Sequence, residues 1–298
     1  MPSWSELEQF LVSGLALGGV YALSGVGLVV LYRATGVVYL AFGAVGAMGA
    51  FLAYQMIQAS APGWASWIVC ILFAALVTLI YGVIFGPPLA GRDPLIRAVA
   101  TLGLTLIVLG VMELLWPPTS GATRSISLPT DNGGFTVAGL QVTWTQLIAL
   151  AAGVVLTVGT GAFLRFTKLG TAMRAMANDR EITATLGVPV RRVEAAAWFG
   201  CGILAGFAGL LLADLVQLEP ATLTFLVISS LAAALIGRLR SITVTFVAAL
   251  VIGLVHDLLT PFTALSNYRD MTPFVLAAIA LLWVSRHREI MTRSREEG

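Results

Sequence analysis

The chain has 298 residues, of which 58% are hydrophobic and 11% charged, and its formal net charge is +2. A water-soluble domain carries about 25% charged residues, so a mean hydropathy of +0.92 with so few charges excludes a fold whose whole surface faces water. Two cysteines and two histidines supply neither a disulfide framework nor a multi-histidine metal centre.

A span of about 20 apolar residues crosses a hydrocarbon core of about 30 Å. Apolar runs lie at 9–31, 36–57, 66–86, 98–116, 144–164, 194–213, 222–237, 241–260 and 271–285. They predict an all-α, polytopic helical bundle of nine membrane segments, forming a single domain over 1–298. The stretch before the first run carries Glu6 and Glu8 and no cation. That run is therefore expected to be retained rather than removed as a leader. In the first run Gly14 and Gly18 form GxxxG, as do Gly202 and Gly206 in the sixth, while Gly43, Gly46 and Gly49 are expected on one side of the second. Such glycines let helix backbones approach closely. The runs at 222–237 and 271–285 are short and read as tilted, re-entrant or half-helical segments.

Two polar connections interrupt the runs. The first, 117–143, holds Pro117-Pro118, Asp131-Asn132-Gly133-Gly134 and an alternating Phe135, Val137, Leu140, Val142, the pattern of an outer loop with a short hairpin. The second, 165–193, has helix-forming composition over 173–186. Asn178 and Asp179 can break or cap it, and Gly187 followed by Pro189 ends it. Interleaved Met173, Met176 and Leu186 with Arg174, Asp179, Arg180 and Glu181 make it amphipathic. Two readings stand side by side: a helix lying in lipid headgroups or a docking helix for a cytoplasmic partner.

Lysine and arginine set the orientation. With the tail bearing Arg286, Arg288, Arg293 and Arg295 inside, nine crossings put Arg33, Arg92, Arg97, the cations of 165–192, Arg238 and Arg240 on the same face. Of 17 basic residues only Arg124 and Arg269 fall outside. The expected topology is N-out, C-in. Merging the runs around Arg238 and Arg240 would bury two arginines at about 2.5–3.5 kcal/mol each, so the turn is kept.

A membrane-buried solute path needs polar handles on an apolar wall. The candidates are Tyr39, Thr101, Thr105, Ser229 and Ser230, with Phe42 as an apolar neighbour. Each hydroxyl also has a structural reading, an interhelical or i−4 backbone bond. Glu113, Asp214, Glu219, His256, Asp257 and Asp270 lie near outer helix ends. There they are solvated, or they meet a solute-binding protein. His256-Asp257 also fits a proton relay.

The order Lys168-Leu169-Gly170-Thr171-Ala172-Met173-Arg174-Ala175, Ala177-Asn178-Asp179, Ala184 and Leu186-Gly187-Val188 resembles the cytoplasmic loop of the LivH/LivM branched-chain amino-acid permeases. Three other stretches resemble the same family: 14–23, Ala100-Thr101-Leu102-Gly103-Leu104-Thr105, and 201–209. The resemblance implies the permease subunit of an ABC importer in a bacterial inner membrane. Its partners would be two cytoplasmic ATP-binding subunits, a second permease of the LivM kind or a copy of itself, an external solute-binding protein and membrane lipid, with no nucleic acid. It assigns Gly170, Arg174, Ala177, Asp179, Glu181, Leu186 and Gly187 to coupling with the ATPase. The family's Asn-Phe-Ala-His-Gly-acid run stands here as Tyr39-Leu40-Ala41-Phe42-Gly43-Ala44, so the member is divergent and its path more apolar, suited to aromatic or aliphatic solutes.

No GxxxxGK[ST], HExxH or GxSxG motif occurs. The expectation is a chain with no catalytic residues, no metal site and no cofactor, the ATP being hydrolysed elsewhere. The rival reading is a stand-alone secondary transporter or channel, which needs ionisable groups near the midplane.

Overall fold

The computed structural model describes residues 4–117, 124, 126, 134–137, 140–216, 218–262, 271–280 and 282. Within them the helices are α1 (Trp4–Thr35), α2 (Phe42–Gln58), α3 (Gly63–Leu89), α4 (Pro94–Leu115), α5 (Trp144–Phe166), α6 (Lys168–Asn178), α7 (Arg180–Thr185), α8 (Val190–Leu215), α9 (Pro220–Phe225), α10 (Val227–Ile236) and α11 (Ile242–Leu258). Residues 272–280 are also helical. The strands β1 (Gly134–Val137) and β2 (Leu140–Thr143) pair antiparallel as the hairpin expected in the 117–143 connection.

Five helices, α1, α3, α4, α5 and α8, are long and apolar enough to cross a membrane, and Pro220–Ile236 and Ile242–Leu258 are shorter apolar stretches. Their starts are set locally. Asp93 caps α4 by accepting from Leu95 N at 2.9 Å, with Pro94 in the first turn. Thr143 and Gln146 close a reciprocal capping box on α5, and Ser241 accepts from Val244 N at the start of α11. Each satisfies a backbone N–H that a helix start leaves without an intrahelical partner.

Packing is by small residues. α1 is the central helix, and α11, α5, α8 and α10 surround it. A methyl group on Gly18 would strike the backbone of α11 at Leu250, and one on Gly253 would strike Gly18 in return. Gly19 and Gly153 stand in the same relation between α1 and α5, as do Gly46 and Gly209 between α2 and α8. Gly202 and Gly206 of α8 lie against Ala75 and Ile71 of α3. The three glycines of α2 do not share one side: Gly43 meets Thr224 and Val227, Gly46 meets Ala205, and Gly49 meets Cys70. Steps of three residues fall about 60° short of a full turn each time, so two steps carry the series round to a new neighbour.

The structure differs from the sequence reading at three boundaries. Residues 36–41, expected as helix, form a non-helical link that carries the buried Val37, Tyr39 and Ala41 between α1 and α2. The run at 222–237 breaks at Leu226 into α9 and α10. The helix expected from 173 begins at Lys168, and it breaks where a cap was expected, at Asp179, which ends α6 and caps α7.

Candidate functional site

The two interrupted stretches meet. Gly43, in the first turn of α2, packs against Thr224 and Val227 on either side of the α9–α10 break. Around this junction lies a cavity of about 20 Å3, lined by Tyr21 and Ser24 of α1, Phe42, Gly43 and Gly46 of α2, Leu223, Leu226, Val227 and Ser230 of α9–α10, and α8. That volume holds about one water. Its wall is mostly apolar. Ser230 Oγ is buried without a hydrogen-bond partner among the described residues. Broken helices within a bilayer are tolerated where protein encloses them, and in many transporters they build the solute site.

The six residues named as path candidates fall into three groups. Phe42 and Ser230 line this small cavity together. Ser229, one residue earlier, lines a second cavity of about 350 Å3 with Thr222, Phe225, His256 and Phe274. Tyr39, Thr101 and Thr105 line neither. Tyr39 stacks edge-on to Trp198 with centroids 5.2 Å apart, and its hydroxyl lies 3.4 Å from Thr78 Oγ1. Thr101 clasps the 36–41 link: its Oγ1 accepts from Leu40 N at 3.1 Å and shares its proton between Val38 O at 3.0 Å and Ala98 O at 2.8 Å. Thr105 makes the i−4 bond to Thr101 O at 3.1 Å. Tyr21 and Ser24 were not among the sequence candidates. Their signal was two hydroxyls one turn apart in an apolar helix, which only the central position of α1 makes meaningful.

The second functional region is the α6–α7 loop. Met173 and Met176 are buried and fasten α6 to the bundle. Gly170 lets α6 run hard against the backbone of Phe163 and Leu164, closer than a Cβ would permit. Arg174 donates to Arg165 O at 3.3 Å, and Ala177 is half-buried. Asp179 Oδ1 accepts from Ile182 N at 2.9 Å, and Thr183 donates to Asp179 O at 2.6 Å. Arg180 pairs with Glu194 at the foot of α8, 2.9 Å away. Gly187 takes φ +82°, the left-handed cap conformation that ends the loop. What remains outward is an apolar tip, Ile182 60% and Leu186 77% exposed, beside the exposed Glu181.

The ionisable groups expected near helix ends resolve differently. Glu219 accepts from Thr222 Oγ1 at 2.6 Å. His256 Nδ1 lies 3.6 Å from Asp257, with Tyr21 edge-on to its ring at 6.4 Å. Asp270 lies outside the described residues. Among the described residues no cluster of three metal-ligating side chains occurs.

Residues 10–284 match the model of the family described as branched-chain amino acid transport system / permease component. The chain belongs to that family. The LivH high-affinity branched-chain amino acid transport permease of Escherichia coli K12 is 24% identical over 92% of this chain and 94% of its own length. The corresponding figures are 27%, 86% and 82% for the probable LivH of Methanocaldococcus jannaschii, and 25%, 95% and 95% for BraD of Pseudomonas aeruginosa. The present permease is therefore a divergent, multi-pass membrane member of the LivH type, matched along nearly its whole length.

Proposed function

We propose that this chain is the membrane subunit of an ABC importer. It supplies half of the translocation path for a branched-chain amino acid or a related small organic solute, and it adds no enzymatic step of its own. Nine segments, N-out and C-in, put the α6–α7 loop at the cytoplasmic face of an inner membrane. There two ATP-binding subunits dock, while an external binding protein delivers the solute and a second permease, LivM-like or identical, completes the path.

The observation that carries this reading is the exposed tip of α7. Ile182 and Leu186 project from a two-helix loop that is anchored by the buried Met173 and Met176 and whose breaks are capped. A stiff loop with an apolar end transmits a push from a partner, whereas a helix resting in lipid headgroups needs an apolar stripe along its length. On this reading Gly170, Arg174, Ala177, Asp179 and Gly187 shape the loop, and Glu181 and Leu186 touch the ATPase.

The small cavity at Phe42 and Ser230 is the proposed gate. Reorienting α9–α10 against α2 opens it, and Tyr39, Thr101 and Thr105 hold the link on which α2 is mounted. Ser229 is assigned to the outer approach. The apolar wall favours aliphatic or aromatic side chains.

Ile182→Asp and Leu186→Asp should leave the folded permease intact, because both side chains face outward, yet abolish co-purification of the ATPase subunits. Undiminished co-purification by the double variant would overturn the docking assignment.

A further inference from the structure

Four chain stretches widely separated in sequence converge at one end of the bundle: the end of α1 (Arg33), the α3–α4 link (Ala90 to Arg97), the α6–α7 break (Asn178, Arg180) and the α10–α11 turn (Arg240). They enclose an open cavity of about 600 Å3. Four arginines line it, Arg33, Arg97, Arg180 and Arg240, and among the described residues no acidic residue does. Glu194, the partner of Arg180, sits in a small adjoining cavity of about 30 Å3.

Like charges gathered this way repel. Arg33 feels the charges of both Arg174 and Arg240. Arg97 donates through Nη1 to Thr35 O at 3.3 Å, but its Nε is buried with no partner, and so is the Nε of Arg174. A buried donor left unmade costs free energy, and Arg97, which carries one, lines the cavity. The turn that delivers Arg240 is itself strained: Arg238 and Leu239 take φ +56° and +53°, although neither is glycine. Three of the four stand on helices, Arg33 on α1, Arg97 on α4 and Arg180 on α7, and the strained turn brings Arg240 to the same cavity.

We infer that this cavity is a binding site for a phosphate-bearing anion. Guanidinium forks match phosphate oxygens bidentately, and a phosphate group offers converging forks more acceptor oxygens than a monocarboxylate does. Phosphate reaches such a site from a lipid headgroup or from a soluble phosphate compound. Bound there, it would tie the α6–α7 loop to α1 and to the α10–α11 turn, and so bear on the mobility of the docking loop. The site's exposure to the cytoplasm rests on the orientation proposed above; binding itself does not.

The test uses the full-length permease without partners, so its outcome is separate from that of ATPase docking. Thermal unfolding is followed in detergent with inorganic pyrophosphate. It is followed again in nanodiscs of phosphatidylcholine with and without phosphatidylglycerol. Stabilisation by pyrophosphate identifies a soluble phosphate site, and stabilisation by phosphatidylglycerol alone a headgroup site. In either case Arg33→Gln/Arg240→Gln should weaken the effective probe at least about tenfold, since each lost charge-assisted bond is worth about 1.5–3 kcal/mol. Lys168→Gln, on the exposed start of α6 and outside the cavity, should not. Should the double variant fail to fold, Arg240→Gln alone carries the test, because that side chain is exposed. Absence of stabilisation by both probes, or equal stabilisation of the arginine variant and wild type, would overturn the site.

Discussion

Helices α1 and α4 are both apolar enough to cross a membrane, yet 94% of the spanning window of α1 is buried inside the protein against 22% for α4. The difference lies in what their glycines touch. Gly14, Gly18 and Gly19 each abut backbone of a neighbouring helix, whereas Gly103 and Gly110 of α4 face open space. Lipid is as apolar as leucine, so hydropathy alone does not separate a lipid-facing helix from a central one. α4 buries a single narrow stripe, Thr101, Thr105, Val108 and Met112, and leaves Leu106, Ile107 and Leu114 outward. The central helix is held by shape, the peripheral one by that stripe and a few directed hydrogen bonds.

Side-chain volume is the sharpest way to break this contrast. Gly18→Leu should destabilise the purified permease by about 3 kcal/mol or more, because overpacking against rigid backbone has no outlet. Gly110→Leu should stay within about 0.5 kcal/mol. Equal effects in thermal unfolding would mean that the two helices are held alike. The next largest effect should come from the buried stripe of α4. Thr101→Val keeps the shape but strands Leu40 N and Val38 O, at a cost of about 1–3 kcal/mol, with faster hydrogen exchange over 36–41 as the local readout.

Two smaller changes test the loop rather than the bundle. Asp179→Ala removes the cap of α7 and should cost about 1 kcal/mol locally, visible as faster exchange across 180–185 with the global unfolding temperature nearly unchanged. Glu194→Gln breaks a partly exposed ion pair and should cost under about 1 kcal/mol. A larger loss of stability would show that Arg180 depends on Glu194 for its place at the arginine-lined cavity.

Much of the candidate site was legible beforehand, and the parts that were not share a cause. The α6–α7 loop could be read because its cues are local: Asp179 as cap, Gly187 as terminator, methionines on one face. The break at Leu226 carries no such cue. Neither glycine nor proline stands there, and an uninterrupted apolar run reads as one helix until Gly43 is found packed against it. Thr101 was suspected of lining a path, but its three hydrogen-bond partners come from its own helix and from a link 61–63 residues away. Phe42 and Ser230 share a cavity although 188 positions separate them in the sequence.

The long, nearly uncharged apolar runs determined that this protein lives in a membrane as helices, because in lipid a helix bonds its backbone polar groups within its own segment. The positions of charge determined which connections gather at one end. Only the tertiary structure decided which apolar helix is central, where two helices break against each other, and that arginines counted singly along the chain meet round one cavity. Those outcomes depend on contacts between residues far apart in sequence, and no local pattern of side chains encodes such a meeting.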